Sequence, residues 1–121
     1  MTADTFAPLD PVIHSQVRLA VVSVLASSAR AEFNFLKKAT GTTDGNLSTH
    51  LAKLEEAGYV EIEKSFQGKK PVTTCVLTDH GRAAFERYLK ALESYLPRPQ
   101  GGEAGSPAPE SPAEDPRRSR K

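Results

Sequence analysis

The chain has 121 residues, with 16 Lys and Arg against 15 Asp and Glu, one Cys and no Trp. That length allows one small core, too small for a cleft between two lobes, and a net charge of +1 excludes a surface coated in basic charge. A lone Cys75 excludes a disulfide framework, His14, His50 and His80 share no metal-ligand spacing, and no apolar run approaches a membrane span.

Residues 1–9 read as a flexible lead-in without the basic and apolar regions of a signal peptide, which fits a cytoplasmic protein. Asp10-Pro11 then predicts a first helix over 12–26, with Asp10 as N-cap and Pro11 where a missing N–H costs nothing. Ile13, Val17, Ala20 and Val24 recur at helical spacing, and Leu19, Val22, Leu25 and Ala26 make its second half apolar nearly all round. Residues 31–33 suit a very short strand. Asn34 is the expected cap of a short helix over 35–39, broken by Thr40-Gly41-Thr42. Thr43 caps the next helix, 44–57, in which Leu47, Leu51 and Leu54 fall on one side and Gly58 stands at the C-terminal cap position.

A hairpin follows. Residues 59–66 alternate, with Val60, Ile62 and Phe66 on one side and Glu61, Glu63 and Ser65 on the other. Gln67-Gly68-Lys69-Lys70 supplies the turn, and residues 71–77 return as a β-branched run in which Cys75 reads as a buried structural thiol. Thr78 caps a last helix over 79–96, stopped by Pro97. Its stripe of Phe85, Leu89, Leu92 and Leu96, flanked by Ala84, Tyr88, Ala91 and Tyr95, is wider than one packing face needs. From Pro97 onward lie six of the nine prolines, and residues 98–121 carry no Val, Ile, Leu, Met, Phe, Tyr or Cys. That tail cannot bury apolar surface and is expected to be disordered, leaving 10–97 as the folded domain.

The order helix, strand, helix, helix, hairpin, helix, with a glycine-containing turn before the third helix, predicts an α+β, mostly helical fold. It is a winged helix-turn-helix with a two- to three-stranded antiparallel wing sheet and a C-terminal dimerisation helix. The stretch TDGNLSTHLAKLEEAGYVEIEK, followed by GKKP and LTDHGRAAF, resembles the MarR/ArsR-type winged-helix transcriptional regulators of bacteria, in their compact single-domain group. The resemblance implies a homodimer on a palindromic DNA operator.

The residues supply their own argument for DNA. On the helix over 44–57, the face opposite the leucines carries small or short polar side chains that fit a major groove about 12 Å wide. Asn46, Ser48 and Thr49 suit base edges or phosphates, Thr43 sits at the helix start, and Lys53 suits a phosphate. Lys64, Lys69 and Lys70 fall within seven residues of the wing with no acid among them, as backbone contacts require. Arg82 is a weaker phosphate candidate, and His50 lies on the border between core and outer face. Leu92, Tyr95 and Leu96 are the candidate dimer contacts. No catalytic constellation, cofactor motif or metal cluster is apparent, and no effector is named by any motif. The alternative to a DNA-binding regulator is a winged-helix module for protein–protein contact, which the neutral charge of residues 1–97 favours and the wing lysines oppose.

Overall fold

A computed structural model describes residues 6–97. The 98–121 tail and residues 1–5 lie outside the described residues. Seven elements follow in order: α1 (Gln16–Ser28), β1 (Arg30–Glu32), α2 (Phe33–Thr40), α3 (Asp44–Glu56), β2 (Val60–Gln67), β3 (Lys70–Leu77) and α4 (Asp79–Glu93). The architecture is the expected winged helix-turn-helix, and its sheet has three strands in the order β1-β3-β2.

The starts of α1 and α2 and the end of α4 differ from the sequence reading, and the other ends shift by at most two residues. Helix α1 starts at Gln16 with Ser15 as its cap, the Ser15 side chain accepting from the Arg18 N–H. Asp10 is drawn elsewhere. Its Oδ1 accepts the Val12 N–H at 2.9 Å, its Oδ2 accepts the Tyr59 hydroxyl at 2.5 Å, and its carbonyl closes a turn with the His14 N–H. Helix α2 begins at Phe33, directly after β1, so Asn34 lies inside it and no side chain caps its start. Helix α4 ends at Glu93. The Ser94 hydroxyl donates to the Ala91 carbonyl at 2.7 Å and turns the chain before Pro97.

Residues 6–9 are tied down where a flexible lead-in was expected. The Ala7 N–H donates to Ser94 Oγ, the Tyr95 hydroxyl donates to the Ala7 carbonyl, and the Phe6 ring stacks on Tyr95 at 4.7 Å.

The core is assembled from every element but the shortest. Ile13, Val21, Val22 and Leu25 meet Leu36 of α2, Leu47, Leu51 and Leu54 of α3, then Tyr59, Val60, Cys75, Leu77, Ala84 and Tyr88. Strand β3 is central. It pairs with β1 from Arg30↔Val76 to Glu32↔Thr74 and with β2 from Val60↔Leu77 to Gln67↔Lys70. The hairpin loop is therefore the pair Gly68-Lys69, with φ +64° at Gly68 and no positive φ at Lys69. That is the pattern of a II′ turn, whose twist matches the flanking strands.

Helix α4 presses its N-terminus onto the chain between α3 and β2. Thr78 Oγ1 accepts the Gly81 N–H and donates to the Gly58 and Tyr59 carbonyls, while the Thr78 N–H also reaches the Tyr59 carbonyl. A Cβ on Gly81 would come within 2.1 Å of that same carbonyl oxygen. Backbone cannot yield as a flexible side chain can, so Gly81→Ala is expected to cost about 2–3 kcal/mol or more. A fall of that size in the unfolding free energy, obtained from urea titrations, checks it.

Burial and the bond to Asp10 push the Tyr59 hydroxyl up to about 12. The folded chain holds this proton above the ordinary tyrosine value of about 10, so its contribution is complete below pH 10 and is lost as pH rises toward 12. Tyr59→Phe is expected to flatten the alkaline loss of stability between those limits, measured by denaturant titrations at stepped pH.

Candidate nucleic-acid interface

The helix-turn-helix is made by α2 and α3 across residues 41–43. Gly41 ends α2 in the left-handed region (φ +68°), and its N–H reaches the Lys37 carbonyl. Thr43 then caps α3, its hydroxyl oxygen accepting the Asn46 N–H at 3.1 Å. An exposed ion pair, Lys37 Nζ to Asp44 Oδ1 at 2.8 Å, spans the turn.

Helix α3 buries Leu47, Leu51 and Leu54 and exposes Asn46, Ser48, Thr49, Ala52 and Lys53. The exposed hydroxyls differ in what they offer. Thr49 Oγ1 already donates to the Gly45 carbonyl at 3.0 Å, leaving it as an acceptor. Thr43 has its oxygen engaged by the cap and its proton still to give.

On the wing, cross-strand partners project to one face, so Ile62, Lys64, Phe66, Pro71, Thr73 and Cys75 share a side. Ile62, Lys64 and Thr73 line a crevice with Ser48, Ala52 and Glu55 of α3, which places Lys64 beside the exposed face of the helix. Lys69 and Lys70 stand exposed at the hairpin end. Neither ion pair among the described residues involves Lys53, Lys64, Lys69 or Lys70. Arg82, by contrast, donates to the Ala26 carbonyl at the end of α1.

Cys75 is fully buried, and burial with nearby Glu55 pushes its thiol up to about 11. The thiol is thus protonated and inert at neutral pH.

The sequence reading passed over Arg18. From α1 its Nε donates to the Val12 carbonyl at 2.5 Å, and its Nη1 donates to Nδ1 of His50 on α3 at 2.8 Å. This latch ties α1 to the chain that leads into it and to α3. No periodicity reveals it, because a half-buried Arg on a helix looks like any solvated charge. Burial, then Arg18, then Lys53 hold His50 below its ordinary value of 6.5. The folded chain therefore resists protonating His50, and the stability this reflects is present above pH 6.5 and lost as pH falls through the depressed value. Arg18→Ala is expected to move the His50 titration upward, read from its imidazole NMR signals, and to soften the acid loss of stability.

Of the dimer candidates, Leu92 is half-buried, while Tyr95 and Leu96 are exposed, Tyr95 engaging Phe6 and Ala7 of its own chain. The buried side of α4 is Gly81, Ala84 and Tyr88, which leaves Leu89 and Leu96 at 44% and 57% exposure.

Comparison with known proteins settles the class. The model of the winged helix DNA-binding domain matches residues 17–96. The chain belongs to that family. An uncharacterized protein of Methanocaldococcus jannaschii, MJ0432, is 41% identical over 78 residues, covering 64% of this chain and 85% of the relative. The solved transcriptional regulator homologue of Pyrococcus horikoshii OT3 is 30% identical with a TM-score of 0.65, over 69% of this chain and 83% of that one. Reduced AbfR bound to DNA, whose protein comes from Staphylococcus epidermidis, is 27% identical with a TM-score of 0.61, over 69% and 57%. A MarR-family regulator of Silicibacter pomeroyi shares the fold at 19% identity and a TM-score of 0.54, over 69% and 56%.

Proposed function

We propose that this winged-helix protein is a transcriptional regulator that binds duplex DNA as a homodimer, without enzymatic activity. Helix α3 lies in a major groove, with Asn46, Ser48 and Thr49 toward base edges and Thr43 and Lys53 toward the phosphates at its rim. The wing lies along the adjacent backbone, where Lys64, Lys69 and Lys70 neutralise phosphates. The observation that carries this reading is the shared crevice of α3 and the wing, which sets Ser48 and Ala52 of the exposed helix face beside Lys64, a lysine in no ion pair among the described residues, with Lys69 and Lys70 exposed further along the hairpin.

Exposed Leu89 on α4 and exposed Tyr95 and Leu96 just past its end support a second copy as their cover, with Leu92, Tyr95 and Leu96 at the contact. A twofold axis there would set two α3 helices about 34 Å apart, one turn of DNA, on a palindromic operator. The similar structure of reduced AbfR bound to DNA supports DNA as the partner.

Fluorescence anisotropy with random-sequence duplex at about 50 and 200 mM salt tests the reading, comparing the native chain with a Lys69→Ala, Lys70→Ala variant. The native chain is expected to bind with moderate salt dependence, since few phosphates are met per chain, and with two chains per site. The variant should bind all sequences more weakly, with the salt slope reduced by about one for each lysine removed. On a selected operator, Asn46→Ala should instead relax preference at one base step, by about 1–3 kcal/mol. Absence of binding by the native chain at low salt overturns the DNA reading and turns attention to a protein partner.

A further inference from the structure

The chain leading into α1, the first turn of α1 and the last turns of α3 enclose a cavity of about 330 Å³. Pro11, Val12 and Ala57 give it an apolar wall, while Arg18, Lys53 and Glu56 give it two cations and a carboxylate. Neither ion pair among the described residues involves any of these three, so each charge meets the cavity without a protein counter-charge. Arg18 is only partly spent. Its Nε donates to the Val12 carbonyl, its Nη1 to His50 Nδ1 and its Nη2, at 3.5 Å, to the Pro11 carbonyl. One N–H on each terminal nitrogen of the guanidinium remains to give. The positive field is felt next door, where Arg18 and Lys53 both help to hold His50 below its ordinary value.

A fitting ligand brings an oxyanion for the two cations, a donor for Glu56 and an apolar body for the remaining wall. We propose that this cavity binds a small α-amino or α-hydroxy acid with an apolar side chain. The carboxylate lies between the Arg18 guanidinium and the Lys53 ammonium, where charge-assisted bonds are strong, and the ammonium or hydroxyl donates to Glu56. A backbone phosphate of DNA is a poorer match, because it has no donor to give and would face the Glu56 carboxylate. The volume stands at the small end of the range for ligand sites and suits an acid of the size of leucine. A bound acid bridges α1 and α3, the helices that the Arg18–His50 bond already joins. The site does not depend on the DNA reading. Only its consequence does: an occupied cavity draws Lys53 away from the phosphate assigned to it above.

The imidazole NMR signals of His50 report on the site. The full chain is titrated with L-leucine, L-leucinamide, isocaproate and sodium chloride at matched ionic strength. L-leucine is expected to shift the signals saturably and to move their pH midpoint upward, since a carboxylate at Arg18 offsets the positive field. Leucinamide lacks the oxyanion and isocaproate lacks the donor, so each should bind about tenfold more weakly. Glu56→Gln should remove the advantage of leucine over isocaproate, and Lys53→Ala should weaken both. These two side chains are exposed, and melting temperatures that match the native chain would show an intact fold. Shifts no larger than those in sodium chloride overturn the inference. Leucine binding that neither variant alters overturns it too, since the ligand then sits elsewhere. A His50 response to duplex DNA alone gives the cavity to a backbone phosphate, which overturns the inference and leaves the DNA reading standing. A chain that binds leucine here and no duplex keeps the site and loses the DNA reading.

Discussion

The structure turns on the backbone of Tyr59. Its carbonyl receives the N–H and the hydroxyl of Thr78, and Gly81 lies against it so closely that no side chain fits. Its ring hydroxyl holds Asp10, which shapes the chain leading into α1. One residue thus joins the lead-in, the end of α3, the first residue of the wing and the start of α4. Such a joint matters because α3 and β2 are separated by three residues only. Fixing the turn fixes the angle at which the wing leaves the helix, and that angle sets Lys64 beside Ser48 and Ala52.

A second constraint comes from the other side of α3. Arg18 reaches His50 from α1, and the Lys37–Asp44 pair joins α2 to the helix start. The exposed ion pair contributes little, as surface pairs do. The Arg18 bonds are different, since they satisfy a half-buried guanidinium with a backbone carbonyl and a neutral imidazole. Helix α3 is held at its beginning by the turn, along its length by three leucines and at its end by Tyr59. Its outer face is left free of intramolecular work apart from the Thr43 cap and the Thr49 bond to Gly45.

Much of this was legible in the sequence wherever the causes are local. For α3, a threonine cap, a leucine spacing of four and three, and a following glycine all agree, and the helix found differs from the reading by one residue at its end. The II′ turn needs a glycine and has one. The start of α1 was not legible. Asp10 is a good cap by chemistry, yet its carboxylate is committed to a tyrosine 49 residues away, and no local rule contains that partner. The inward side of α4 was hidden for a related reason. A wide apolar stripe does not say which part faces in, and here the close approach at Gly81 turns Ala84 and Tyr88 to the core. Phe66 followed the alternation of its strand faithfully, but the core ends before the hairpin does. The candidate contact residues were legible as types at positions. That Ser48 of α3 and Lys64 of the wing meet in one crevice came from the geometry of the Tyr59 joint.

The charge distribution bears on how such a domain works. With equal numbers of acids and bases between residues 1 and 97, long-range attraction of such a domain to DNA is weak, and few phosphates are within reach of the wing. A binder of that kind gains little from non-specific electrostatics and must rely on close fit, on two-fold repetition, or on both. Close fit favours the short side chains found on α3, since bulk there would hold the helix out of the groove. Repetition favours an apolar face at a distance from α3, which α4 supplies at the opposite end of the chain order. Modest charge, a slim helix face and a spare apolar strip are mutually consistent. Each lowers the affinity of a single copy for arbitrary DNA and raises the share of the binding energy that depends on sequence and on pairing.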